Sequence, residues 1–348
     1  MNALTRCPYL CPPLCLALLG LLPACDFPLE VDTPQLNATA HADLVAYAES
    51  GSCTPGVFKG NLGSGGDTQF TRECTIHGSV YIDGNPDLLL RLRHVKEVIG
   101  VLYLGGSVDL ADALPDLEKA GQIDASYYAG SHLTGPASLR EISSFDVEKN
   151  DHIQTISGFD GVQILAALGI SKNTALVSVS GFSQITNLIG LQIEDNPKLA
   201  SFTALANWSA CKPYSYYSAL PVTIANCPAL LELPKFPALT QIEGELTLMG
   251  LNVLKIEGFP ALKTAKSLKL NTLPKLTQLS FPELGEVGLL QIFSAPELAS
   301  LAGLPKIKVL NQVAVCVDSV SCAEVAAFKA QQTNANWIDC SAPVACKP

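Results

Sequence analysis

A short phrase returns along this chain at a nearly constant interval. Two clear copies lie at 78–88 and 190–199, and both place alternating apolar residues between a glycine and an Asn-Pro pair. We index each copy by its second apolar position. The indexed residues are Ile82, Leu104, Ala125, Val147, Ile170, Ile193, Ile224, Leu248, Leu270, Ile292, Val315 and Ile338. Successive positions differ by 22, 21, 22, 23, 23, 31, 24, 22, 22, 23 and 23 residues, and a period of this length predicts a solenoid.

Each repeat predicts one strand followed by a turn. The stretch Leu246-Thr247-Leu248 alternates apolar and polar residues with a period of two, which favours a strand. The turn is marked by asparagine, which tolerates the left-handed backbone of a turn. The asparagines in this slot are Asn85, Asn150, Asn173 and Asn196. Because one coil buries its apolar side only against the next, we predict a mainly β, right-handed parallel β-solenoid with about 22–23 residues per coil.

The composition fits this architecture and restricts the function. Of 348 residues 48% are hydrophobic and 16% charged, which is ample for a large core. The net charge of −10 argues against a general nucleic-acid binder. The charge is uneven, because residues 26–200 hold 22 acidic against 10 basic residues, a net of −12, whereas 241–310 hold 6 against 7, a net of +1.

The N-terminus predicts export. Residues 1–24 have one early charge, Arg6, and an apolar run at 14–22 that is too short for a membrane span, so they are typical of a signal peptide. The run ends in Leu22-Pro23-Ala24-Cys25, which resembles a bacterial lipobox. That resemblance implies that Cys25 is lipidated and anchors the protein in a membrane. Residues 25–52 are predicted to be a tether, and the solenoid is predicted to occupy 53–348.

Eight cysteines follow the signal peptide, and an even number in an exported chain predicts disulfides. The predicted pairs are Cys53–Cys74, Cys211–Cys227, Cys316–Cys340 and Cys322–Cys346. The last two join positions 24 residues apart, about one coil. Local links within 316–322 and 340–346 remain the alternative. The spacings lack the Cys-x-x-Cys pattern of zinc sites, and we predict no metal and no cofactor.

The interval of 31 residues indicates an insertion, which we place at 203–219. It concentrates aromatic residues, which dominate many interfaces, and is the predicted ligand-binding loop. The candidate binding residues are Trp208, Tyr214, Tyr216 and Tyr217. These aromatics could equally plug a joint between two halves of the solenoid. After the last regular coils, helix-forming residues from Cys322 to Gln332 predict a capping helix, and a final strand is predicted at Trp337-Ile338.

Two carboxylates are predicted to lie side by side on the outside of the solenoid. Asp124 and Asp146 each precede an index position on adjacent coils, so their strands should lie about 5 Å apart. Tyr81 and Tyr103 occupy the same outward slot. Two close carboxylates could serve glycoside hydrolysis, and the alternative is a solvated acidic face.

The entry into the first coil, Cys74-Thr75-Ile76-His77-Gly78-Ser79-Val80-Tyr81-Ile82, resembles receptor L domains. These are leucine-rich, right-handed β-helical modules of receptor ectodomains, and similar repeats occur in bacterial surface lipoproteins. The resemblance covers roughly 53–346. It implies a non-enzymatic, surface-exposed binding module, with no hormone-binding role carried over.

We therefore expect an exported, lipid-anchored cell-surface protein that binds a protein or carbohydrate ligand without catalysis. One alternative is a polysaccharide-active β-helix hydrolase or lyase that uses Asp124 and Asp146. Another is a structural spacer of the cell envelope. No nucleic-acid partner is expected.

Overall fold

The computed structural model describes residues 38–63, 72–213, 220–317, 319–333 and 335–338, with side chains from residue 42 onward. It shows a parallel β-solenoid of about twelve turns, mainly β, with few helices. The predicted fold class is confirmed, including the short helix near the C-terminus.

The long sheet of the solenoid has fifteen parallel strands. They are β1 Thr54–Lys59, β2 Glu73–His77, β3 Val80–Ile82, β4 Glu97–Leu104, β5 Lys119–Asp124, β7 Glu141–Glu148, β9 Ile164–Ser171, β11 Gly190–Glu194, β13 Ala210–Cys211, β14 Val222–Ala225, β15 Gln241–Met249, β17 Thr264–Asn271, β19 Glu286–Phe293, β20 Lys308–Cys316 and β21 Asn336–Trp337.

Shorter strands form two smaller parallel sheets on the return side of the coils. One contains β6 His132–Thr134, β8 Thr155–Ser157, β10 Ser178–Val179 and β12 Ser201–Phe202, and the other contains β16 Lys255–Ile256 and β18 Gln278–Leu279. The helices are α1 Ala38–Ser50, α2 Pro86–Leu92, α3 Leu110–Ala113 and α4 Cys322–Gln331.

The register of the long sheet matches the repeat read from the sequence. Ile82 pairs with Leu104, and each indexed residue from Val147 to Val315 pairs with the next one along the chain. The prediction fails at the last coil, where Trp337 pairs with Val313 and the index Ile338 is therefore one residue early. The last coil is thus 24 residues long rather than the 23 read from the sequence, and it contains helix α4.

A ladder of buried asparagines runs along one corner of the solenoid. Asn150, Asn173 and Asn196 are almost fully buried, and each occupies the same slot on consecutive coils. Asn173 donates from Nδ2 to the Val147 carbonyl and to Asn196 Oδ1, while its own Oδ1 accepts from the backbone and side-chain nitrogens of Asn150. The amides thus satisfy turn backbone that stacking hides from water.

The N-terminal end differs from the predicted tether. Residues 38–50 form helix α1, which lies against α2 and buries Leu44 and Tyr47. These two side chains are three residues apart and so share one face of the helix. Residues 38–50 of the predicted tether are therefore helical and pack against α2, while the tether role itself stays a prediction. The predicted Cys53–Cys74 disulfide is confirmed.

The C-terminal end is closed by helix α4. Ser321 caps the helix by accepting from the Glu324 amide. Glu324 in turn accepts from the Ser300 hydroxyl and the Leu301 amide of the preceding coil. Gln332, 3% exposed, accepts from the Val309 amide and donates to the Ile307 carbonyl, as a neighbouring strand would do. These contacts satisfy backbone groups at the end of the stack.

The insertion interrupts one strand of the long sheet. Strand β13 pairs with the start of β15, and β14 pairs with its end. On β15 the two pairings are separated by three residues, 243–245. On the neighbouring coil, β13 and β14 are separated by ten residues, 212–221, so this is where the extra residues are inserted. The insertion therefore begins later than the predicted 203–219. Strands β11, β14 and β15 stay paired across it, so the described solenoid is one body and not two halves.

Candidate functional site: the outer column of the long sheet

One line of outward side chains crosses the long sheet from coil to coil. Tyr81 pairs with Tyr103, Tyr103 with Asp124, and Asp124 with Asp146. Gly169 and Gln192 continue this line, which we call the outer column. The predicted juxtaposition of Asp124 and Asp146 is therefore confirmed, since parallel strands place paired residues about 5 Å apart.

The two tyrosines of the outer column form a rigid aromatic pair. Their rings are stacked with centroids 4.5 Å apart and an interplanar angle of 10°. The pKa of Tyr103 is raised, chiefly by burial and further by Tyr81 and Asp124. Tyr103 thus stays neutral at physiological pH and lies next to Asp124 in the outer column.

Asp146 is held in one orientation by its neighbours. Its Oδ2 accepts from the Ser144 hydroxyl at 2.7 Å and from Gln122 Nε2 at 3.2 Å. A Cβ at Gly169 would lie 2.6 Å from Asp146 Oδ1, so glycine at this position makes room for the carboxylate. Burial raises the pKa of Asp146, and Asp124 and Glu148 raise it further, against the lowering effect of the two hydrogen bonds.

The lysines on this part of the wall are engaged with other acids. Lys172 Nζ lies 3.0 Å and Lys149 Nζ 3.4 Å from the Glu148 carboxylate. Lys119 lies between Glu97 and Glu141, at 3.8 Å and 3.2 Å. Within the described ranges no ion pair involves either aspartate of the outer column. In the described part of the wall, their negative charge therefore has no basic side chain as a counter-charge.

Trp208 is a core residue, and its predicted role in ligand binding is wrong. It is 0% exposed, its indole Nε1 donates to the Ala210 carbonyl at 2.7 Å, and its ring meets Phe236 edge-on. Its amide donates to the Leu205 carbonyl, as the amide of Leu239 donates to Phe236 in the next coil. Trp208 therefore fills a regular position of the repeat, because the insertion starts only after it.

The other predicted binding residues, Tyr214, Tyr216 and Tyr217, lie outside the described residues. Those that flank them are described. Asn187 exchanges hydrogen bonds with Lys212, and the Leu220 amide donates to Ile189. The insertion therefore leaves and rejoins the same long sheet that carries the outer column.

The predicted Cys211–Cys227 disulfide is wrong, because both residues are buried free thiols. Cys211 pairs with Ile242 at the start of β15, whereas Cys227 lies beyond Ala225, which pairs with Met249 at the end of that strand. Seven strand residues separate these ends, roughly 20 Å, and a disulfide spans less than about 7 Å between Cα atoms. Burial raises the pKa of Cys211 to about 12 and of Cys227 to about 11.

The predictions for the C-terminal cysteines and for Cys25 involve residues outside the described part of the chain. Cys316 and Cys322 are both disulfide-bonded. Their predicted partners, Cys340 and Cys346, lie outside the described residues, so this pairing stays a prediction. It agrees with the sheet register, in which β21 follows β20 at an offset of 24 residues. Cys25, the predicted lipidation site, also lies outside the described part of the chain.

The described residues hold no group of three His, Cys, Asp or Glu side chains placed to ligate a metal. Within the same ranges no helix is long and apolar enough to cross a membrane.

The fold and the outer column define the class of this protein as a parallel β-solenoid with a polar, partly aromatic wall. A scan against protein-family models and a search of curated proteins both find no match.

Proposed function

We propose that this is an exported, lipid-anchored surface protein of the receptor L-domain-like type, which binds a basic segment of a protein partner without catalysis. The observation that carries the proposal is the outer column. It combines a stacked tyrosine pair with two carboxylates that are positioned by the sheet but not neutralised by it.

The disulfides support export. Cys53–Cys74 is formed, and Cys316 and Cys322 are also bonded. Disulfides persist in oxidising compartments outside the cytosol. They also sit at the two ends of the stack, where a coil has one neighbour only.

The charge distribution supports a cationic partner. Residues 26–200 carry a net charge of −12, and the outer column lies within them. A surface of one sign steers a partner of the opposite sign and fixes its orientation. Tyrosine adds rigid contact area at low entropic cost, so Tyr81 and Tyr103 would anchor the segment whose basic side chains reach Asp124 and Asp146.

The double variant Asp124→Asn with Asp146→Asn tests this site. We expect its affinity for a soluble lysine decapeptide to fall at least about tenfold, equivalent to about 1.4 kcal/mol, because both counter-charges are lost while side-chain shape is kept. Calorimetric titration at about 0.15 M salt measures it, with surface charge partly screened.

The matched control is Thr247→Ala with Gln291→Ala, at outward positions that continue the line of the outer column into the nearly neutral half. It should bind as the parent protein does. Equal affinity of the parent protein and the aspartate variant would refute the site. Equal binding of a glutamate decapeptide to the parent protein would show that charge does not select the partner.

The same experiment distinguishes the alternative functions. If the parent protein binds envelope polysaccharide but no basic peptide, the ligand is a carbohydrate. If it binds neither, a structural spacer is favoured.

A second candidate function is polysaccharide hydrolysis by Asp124 and Asp146. It is favoured by their adjacency and by the raised pKa of Asp146 beside a second carboxylate, which resembles the acid and nucleophile pair of retaining glycosidases. Product release from acidic and neutral polysaccharides by the parent, abolished in Asp146→Asn, would establish this function in place of the binding role.

The lipid anchor has its own test. In the bacterial export pathway, the parent protein should incorporate labelled fatty acid and partition into detergent, because the Leu22–Cys25 segment resembles a lipobox. The variant Cys25→Ser should do neither, since it lacks the thiol that is acylated. Equal labelling of both proteins would contradict the proposal, and Cys53→Ser serves as the cysteine control.

A further inference from the structure

Each aspartate of the outer column has one carboxylate oxygen engaged by the sheet and one oxygen left over. Asp124 Oδ1 accepts from the Ser126 amide at 2.9 Å. Asp146 Oδ2 accepts from Ser144 and Gln122. Among the described residues, no hydrogen bond ends on Asp124 Oδ2 or on Asp146 Oδ1. The pair therefore offers two unused acceptors, one from each of two neighbouring coils.

The two carboxylates are close enough for one cation to reach both. Asp124 and Asp146 pair directly on strands β5 and β7, whose backbones lie about 4.8 Å apart. Burial and, in smaller part, the charge of Asp124 raise the pKa of Asp146, and the second cause is the effect of a nearby like charge. A cation that contacts both carboxylates relieves this repulsion, so binding at the pair is favoured over binding at either aspartate alone.

A tyrosine ring stands beside the pair. Tyr103 is the neighbour of Asp124 in the outer column, and one face of its ring is stacked on Tyr81. Tyr81 lies on the coil before Tyr103 and Asp124 on the coil after it, so the second ring face is turned toward the aspartates. Because an aspartate side chain is shorter than a tyrosine, the outer part of this face extends beyond Asp124. The stacked Tyr81 holds the ring in place.

Arginine fits this combination of groups better than lysine does. A guanidinium is planar and carries five N–H donors in a fork, so it can donate to two carboxylates while its flat face lies on an aromatic ring. Cations over aromatic rings are attracted by the ring quadrupole, and arginine makes this contact more often than lysine. A lysine ammonium is a compact, strongly hydrated charge, which gains less from a ring beside it.

We infer that the outer column is specific for arginine, with one guanidinium of the partner stacked on the second face of Tyr103 and bridging Asp124 Oδ2 and Asp146 Oδ1. This specificity rests on the proposed binding of a basic segment and names the residue that the segment presents. Gly169 completes the site, because a side chain there would meet Asp146 Oδ1 and displace this acceptor.

Calorimetric titration of the full chain with an arginine decapeptide and a lysine decapeptide, at about 0.15 M salt, tests the specificity. The two peptides carry equal charge, so an acidic surface without a shaped site distinguishes them little. We expect the arginine peptide to bind the parent protein at least about tenfold more tightly. In Tyr103→Leu the lysine peptide should bind within about twofold of the parent value, and the arginine peptide should lose its advantage.

Further variants test the acceptor side and control for unrelated effects. Gly169→Ala should lower the affinity for the arginine peptide toward that for the lysine peptide. Its control is Gly285→Ala, where the nearest atom to an added Cβ is 3.8 Å away. Tyr127→Leu is the control for Tyr103, since Tyr127 is 66% exposed in the same acidic half but outside the outer column. Both controls should keep the preference, and thermal unfolding of each variant verifies that the fold is intact.

The outcomes separate this specificity from the proposed function. If both peptides bind the parent protein equally, and both weaken in Asp124→Asn with Asp146→Asn, the site binds basic segments but the arginine specificity is wrong. A preference that persists in Tyr103→Leu would also overturn it, because the guanidinium would then be recognised elsewhere. If neither peptide binds the parent protein, the proposed function fails and the arginine specificity fails with it.

Discussion

Replacing Asn173 by alanine should lower the free energy of unfolding by about 3–5 kcal/mol, because four buried hydrogen bonds end on this amide. The substitution removes the Asn173 partner of the Val147 carbonyl and of the Asn150 backbone amide, and it leaves the Asn150 side-chain amide with its bond to the Ala125 carbonyl only. An unpaired buried polar group costs about 1–3 kcal/mol. Urea denaturation followed by circular dichroism measures the loss.

Asn252→Ala is the matched control for the ladder. Asn252 also lies at a coil corner, but it makes one exposed hydrogen bond, to the Pro228 carbonyl. Its removal should cost less than about 1 kcal/mol. Similar losses in the two variants would show that the stacked amides do not act as a buried network. The ladder ends at Asn196. In the next coil Cys227 occupies the equivalent position, and its thiol interacts with Asn196.

Replacing Trp208 by alanine should cost about 3–5 kcal/mol of stability, the usual range for a large buried aromatic residue. The indole side chain is fully buried in the core and contacts the ring of Phe236. Trp208→Phe should cost less, about 1–2 kcal/mol, since it keeps an aromatic ring and loses the donor to the Ala210 carbonyl. Thermal unfolding of the three proteins measures the series.

Fluorescence gives an independent test of the burial of Trp208. The chain has two tryptophans, so in a Trp337→Phe background the emission reports Trp208 alone. It should be shifted to short wavelength and resist quenching by iodide. Strong quenching, or a Trp208→Ala protein with unchanged stability and weaker decapeptide binding, would instead restore Trp208 as an exposed binding residue.

The repeat explains why much of the candidate site could be predicted. In a solenoid each strand can pair only with the strands one coil before and after it, so the period sets the register and the alternation sets which side chains face outward. Tyr81, Tyr103, Asp124 and Asp146 could thus be placed in one column from their positions alone. What the period does not contain is the orientation of the Asp146 carboxylate, which depends on Ser144, Gln122 and the space left by Gly169.

The errors all fall where the repeat is broken. An interval of 31 residues shows that an insertion exists but not where it begins, so Trp208 and Cys211 were placed in the loop although both belong to regular core positions. The helix α1 was missed because its apolar face consists of Leu44 and Tyr47 only. Its contact with the His94 ring joins residues 46 positions apart, and no period relates them.

The sequence by itself determined the parallel stack, its register and its outward column, because these follow from a local alternation repeated at constant length. Only the tertiary structure decided how the stack is closed at its ends and where its insertion leaves the sheet. At those places the chain has no repeated neighbour, so the contacts depend on how non-equivalent segments pack. Gln332 bonds to the Val309 amide and the Ile307 carbonyl as a strand would, and α1 packs against α2, for this reason.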